Sequence, residues 1–162
     1  MIIKSFELNK INLDKNNFFL LYGENEGFKN EVIKKKFEKE FNQNIYKYEE
    51  KEILNNEEDF INSITTKSFF EKIKLIIISR ATDKIKNLMD QIFEKNIKDI
   101  VIVLNAGILE KKSKLRNMFE KDKKIVCIPF YADNNMTLGK IVSIFFREKN
   151  IPISQQNTNL II

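Results

Sequence analysis

A chain of 162 residues with 43% hydrophobic residues is long and apolar enough to build a domain with a core, which excludes a disordered, charge-solvated polymer. The net charge of +5, from 28 basic and 23 acidic residues, permits nucleic-acid contact without arguing for it. Only Arg80, Arg116 and Arg147 carry the planar guanidinium that phosphate and base recognition favours. The absence of histidine removes most zinc sites and the usual general base, and apolar runs of about five residues fall far short of a membrane span.

Phe18 to Tyr22 is a continuous apolar run closed by Gly23, the pattern of a strand buried on both faces. A helix follows, with Ile33, Phe37 and Phe41 spaced by four, then a weaker strand over Asn44 to Tyr48 and a helix around Glu57 to Ile64. Leu75 to Ile78 is the clearest strand. After it, Ile85, Leu88, Met89, Ile92 and Phe93 trace a helical stripe. Ile100 to Leu104 is another buried strand, Lys112 to Glu120 a short helix with Ser113 near its start, and Ile125 to Ile128 the last strand. Leu138, Ile141, Val142 and Phe145 mark a helix ending near Lys149.

Strands that are apolar at every residue, alternating with helices, predict an α/β fold: a parallel sheet with helices on both faces. Pro152 closes the pattern, so the main domain is expected over 1–150. Residues 151–162 then read as a linker and the start of a second helical unit, cut short at Leu160-Ile161-Ile162. Cys127, the only cysteine, lies in an apolar run and reads as a buried, inert thiol. A chain without disulfides or a secretory leader points to a reducing, cytoplasmic setting.

In such a fold the first strand-to-helix turn is the natural phosphate cradle. Here it reads Gly23-Glu24-Asn25-Glu26-Gly27-Phe28-Lys29-Asn30. A working P-loop needs glycine, lysine and a hydroxyl residue in succession, so that lysine reaches the phosphates and the hydroxyl holds magnesium. Lys29 stands one place beyond the position next to Gly27, Asn30 replaces the hydroxyl, and Glu24 and Glu26 bring negative charge. Gly23 and Gly27 therefore read as turn and packing glycines in a degenerate loop. Neither strand end supplies a carboxylate: one runs into Ser79-Arg80, the other into Asn105-Ala106. Asp83 is expected to start the next helix and Asn105 to sit in a turn. These residues predict no catalytic constellation, no metal site and no cofactor.

One segment stands outside the core pattern. Ser68 with Glu71 three residues on is a capping box, so Phe69 would open a single helical turn. Neighbouring helical residues point about 100° apart, so one neighbour is not expected to bury both Phe69 and Phe70. An exposed aromatic pair would suit a partner's apolar pocket. Taken alone, the segment favours the other reading, in which both rings pack beneath neighbouring helices.

Ser68-Phe69-Phe70 before a basic residue and an aliphatic run resembles the Ser-Leu-Phe element of delta subunits of the bacterial DNA polymerase III clamp loader. Leu21-Tyr22-Gly23-Glu24-Asn25-Glu26-Gly27 is similar to that family's degenerate first loop. Lys114 to Glu120 and Cys127 to Asp133 are similar to the segment leading to its next helix. The resemblance covers about residues 17 to 150. It implies a AAA+-like domain that neither binds nor hydrolyses ATP, a non-catalytic component of the polymerase holoenzyme. In that family a hydrophobic pair plugs a pocket on the sliding clamp, implying Phe69 and Phe70 as clamp-binding residues with Ser68 as cap; Phe69 stands where many relatives have leucine. Implied partners are the clamp's beta subunit, the other loader subunits and, through the complex, primed DNA, with no membrane. The family's helical lid would begin at 151–162. The alternatives are a nucleotide-binding ATPase with a divergent P-loop and, more weakly, a nucleic-acid-binding domain driven by net charge.

Overall fold

The computed structural model describes residues 1–5, 7–41, 44–66 and 73–162. By its internal contacts the chain divides into two compact units, Met1–Phe130 and Tyr131–Ile162. This division lies before the helix that the sequence reading places inside 1–150.

The first unit is built on five strands: β1 (Phe18–Gly23), β2 (Ile45–Glu49), β3 (Lys74–Ala81), β4 (Ile100–Ala106) and β5 (Val126–Phe130). All described pairings are parallel, in the order β2-β3-β4-β1-β5. The aliphatic runs give this sheet its two cores, because successive side chains alternate between faces. One core contains Leu20, Ile76, Ile78, Ile102, Leu104 and Cys127; the other contains Phe19, Leu21, Leu75, Ile77, Val101, Val103 and Ile128.

Helix α1 (Glu26–Val32) runs through a π-helical stretch (Ile33–Glu38) into the short α2 (Lys39–Phe41). Val32, Ile33 and Phe37 bury against the second core, where Phe37 meets Phe19 edge-on with ring centroids 5.0 Å apart. The first core is covered by α3 (Glu50–Asn55) and α4 (Glu57–Thr65), then α5 (Lys86–Glu94) and α6 (Lys114–Lys121). Helix α3 is absent from the sequence reading. It carries a capping box, in which the Glu52 side chain accepts from the Glu49 amide and the Glu49 side chain accepts in return.

Strand ends also differ from expectation. β3 passes through the polar Ser79-Arg80 by a register irregularity, with Arg80 at φ 58°. β4 continues through Asn105, which is therefore a strand residue and not a turn residue. β5 continues through Pro129. The Cys127 amide bonds outward to the Met1 carbonyl (2.9 Å), away from β1, so Pro129 two residues on loses only an outward-facing donor. Cys127 itself is fully buried, and desolvation pushes its thiol up to about 12.

The second unit holds α7 (Asn135–Glu148), opened by a reciprocal Asn134–Thr137 capping box, and α8 (Gln155–Ile161), capped by Ser154. Among the described residues no helix is long and apolar enough to cross a membrane.

Candidate functional site

The order of the strands sets where a ligand crevice falls. From β1 the chain crosses to the far edge at β2 with α1 on one face. It then returns through β3 and β4 and steps past β1 to β5 with its helices on the other face. Neighbouring β1 and β4 thus send their chains to opposite faces, and a crevice opens beyond their carboxyl ends. A crevice of about 540 Å³ lies there, lined among others by Glu26, Asn30, Arg80, Thr82, Asn105 and Gly107.

The loop after β1 is fastened from inside the protein. The Gly23 amide donates to the Gly107 carbonyl (3.0 Å) and the Asn25 amide to the Phe130 carbonyl (3.3 Å). Asn25 caps α1 by accepting from the Phe28 amide (3.0 Å), and its carbonyl takes the Lys29 amide (3.0 Å). Gly23 has φ +128°, and a Cβ there would lie 2.0 Å from the Phe130 carbonyl oxygen, so this position requires glycine. Gly27 is different: it lies in the first turn of α1, and a Cβ would meet only Asn25 Oδ1 at 3.9 Å. Reading it as a packing glycine is not correct.

Counted from Gly23, Lys29 falls at the offset a P-loop lysine has from its first glycine, so displacement is not what separates this loop from a working one. The differences are Phe28 in the place of the second glycine and Asn30 in the place of the hydroxyl. The Phe28 ring stacks edge-on against Phe130, with centroids 5.3 Å apart. Asn30 is exposed at the crevice and accepts from Asn105 Nδ2 at 3.5 Å. The Lys29 side chain is wholly buried. Its ammonium forms an ion pair with Glu26 Oε1 at 2.6 Å and donates a short hydrogen bond to the Ala106 carbonyl at the end of β4. A buried ammonium is tolerated only with such partners. Glu26, read from sequence as a charge opposed to phosphate, is instead that partner; its three-residue spacing from Lys29 on a helix was the available signal.

The remaining polar residues do structural work around the crevice. Asp83 does not cap the helix that follows it, since the Thr82 hydroxyl accepts from the Lys84 amide there. Asp83 reaches across to α6, accepting from Ser113 Oγ (2.5 Å) and from the Leu115 (3.0 Å) and Lys114 (3.1 Å) amides. Loss of hydration opposes its ionisation, but the Ser113 hydroxyl, the two amides and the Lys114 charge together hold its carboxyl below the ordinary value. Buried Glu50 likewise accepts from the Thr82 amide (2.6 Å) and hydroxyl. Arg80, largely exposed, pairs with Glu49 at 3.3 Å. Asn105 Oδ1 is buried without a partner among the described residues.

Ser68, Phe69 and Phe70 lie outside the described residues. What frames them is described: α4 ends at Thr65, β3 begins at Lys74, and Lys74 Nζ donates to the carbonyls of Ser63 and Thr66, both at 3.3 Å. This junction is at the amino-terminal end of β3, the opposite end of the sheet from the crevice.

A five-stranded parallel sheet in this order, with helices on both faces and the loop–helix turn at its switch point, defines a AAA+-like α/β fold. The chain is similar to the solved structure of the Bacillus subtilis DNA clamp loader delta protein (YqeN), with a TM-score of 0.62 and 16% sequence identity over 90% of this chain. It spans 48% of that protein's length. No family model and no curated protein sequence matches it.

Proposed function

We propose that this chain serves DNA replication as a clamp-loader subunit of the delta type, which binds and opens the sliding clamp without hydrolysing ATP. The observation that carries the reading is the likeness to a clamp loader delta protein over 90% of the chain. The loop geometry supports its non-hydrolytic half: Lys29 is engaged by Glu26 and Ala106, Phe28 replaces a glycine, and no hydroxyl is in register for magnesium.

In this reading Phe69 and Phe70, with Ser68 as cap, enter an apolar pocket on the clamp's beta subunit. The other loader subunits supply ATP hydrolysis, and primed DNA is met through the cytoplasmic complex. Residues 1–150 form the AAA+-like clamp-binding part and 151–162 begin a helical lid. The offset of Lys29 from Gly23 favours the second reading, a nucleotide-binding ATPase with a divergent P-loop.

Immobilised sliding clamp titrated with the chain by surface plasmon resonance tests the first reading. Truncating two desolvated aromatic anchors costs on the order of 2–4 kcal/mol each. The Phe69→Ala/Phe70→Ala double variant should therefore bind at least about 100-fold more weakly while its circular dichroism is unchanged. Equal affinity of the double variant removes the assigned site. Saturable micromolar binding of Mg-ATP to the chain, read by calorimetry, would favour the ATPase.

A further inference from the structure

We infer that Lys29 is an internal latch: its ammonium fastens α1 to the end of β4, so that the crevice keeps one shape with or without nucleotide. The inference rests on loop geometry and is independent of the clamp-binding assignment.

In a nucleotide-binding α/β domain the loop lysine is a ligand group, and the charge it answers arrives with the phosphates. Here the charge is already covalently present. Glu26 lies one helical turn before Lys29 and supplies the carboxylate, and Ala106 supplies a carbonyl from β4. The Ala106 contact joins α1, which continues β1, to β4, and β1 and β4 are the strands whose divergence opens the crevice. The Gly23 amide reinforces the joint by bonding the carbonyl of Gly107, next to Ala106, and the Asn25 amide ties the same loop to Phe130 at the end of β5.

Phe28 adds an apolar anchor on Phe130. For Lys29 to reach a phosphate in the crevice, its ammonium would have to leave a fully buried position. That move would strand the Ala106 carbonyl in the interior and open a void along the lysine stem. A bound nucleotide would have to offset both losses without the amides already committed to Gly107 and Phe130.

The test has two arms on the full chain. In the first, backbone hydrogen exchange of the unaltered protein is compared with and without Mg-ATP. The latch predicts no change in protection over residues 23–30 and 105–109; added protection there would overturn it. In the second, Lys29→Ala removes the stem and ammonium, and n-propylammonium is supplied as the missing fragment. The variant should melt roughly 10 °C lower, from the void along the stem and the buried Ala106 carbonyl left without its ammonium. The amine should raise its melting temperature saturably while leaving wild type and Lys29→Met unmoved. A Lys29→Ala protein as stable as wild type, or an amine effect common to all three proteins, would overturn the inference. If Lys29→Ala does not fold, the exchange arm decides alone.

Discussion

Gly23 and Gly27 differ in what a single methyl group would meet. At Gly23 the added carbon collides with the Phe130 carbonyl and the backbone is left-handed; at Gly27 it meets open helix surface. Gly23→Ala is therefore expected to lose at least about 3 kcal/mol in urea unfolding, clash and strained backbone together. Gly27→Ala should gain about 0.5–1 kcal/mol, because alanine gives up less backbone entropy in a helix. Equal effects would show that the loop is not held as described. In sequence the two glycines look alike, since a strand followed by a glycine-rich turn does not reveal which amide faces which carbonyl. Cys127 was legible because an apolar run announces its own burial. The burial of Lys29 was not, as it depends on a carbonyl 77 residues away.

Among the helices, those with long apolar stripes were legible: Leu88, Met89 and Ile92 of α5 are buried where the period puts them. Helix α3 is only six residues long and has only Ile53 among its apolar residues buried, so no period could announce it. The amino terminus of α6 shows another limit, because its cap is shared between Ser113 on its own chain segment and Asp83 from the segment after β3. That sharing makes a pH prediction. The folded-state carboxyl of Asp83 lies below its ordinary value of 3.8. Its contribution is fully present above that pH and is lost as the pH falls through the depressed value. Asp83→Asn, which keeps one acceptor oxygen but removes the charge, should destabilise the protein at pH 7 by about 0.3–1 kcal/mol, the range for an anionic side chain at a helix amino terminus. Melting curves recorded at decreasing pH should show the gap to wild type closing below 3.8. A gap independent of pH would mean that the carboxylate is not the capping group.

For the whole molecule, the parallel sheet with two buried faces followed from strands apolar at every residue; β1, β3, β4 and β5 stand where those runs lie, and β2, with Lys47 and Glu49 in it, is the weaker strand. Strand order was not legible from the runs, because sequence order does not state that β1 inserts between β4 and β5. That insertion creates the crevice, and Lys29 and Glu26 engage each other beside it. Because the strands are parallel, Thr66 and Lys74 lie at the amino-terminal end of β3, the end of the sheet away from the crevice. The most direct test is a calorimetric titration of a bacterial sliding clamp with the full chain, with and without Mg-ATP. The account predicts the same dissociation constant in both. Clamp binding that requires Mg-ATP would contradict it.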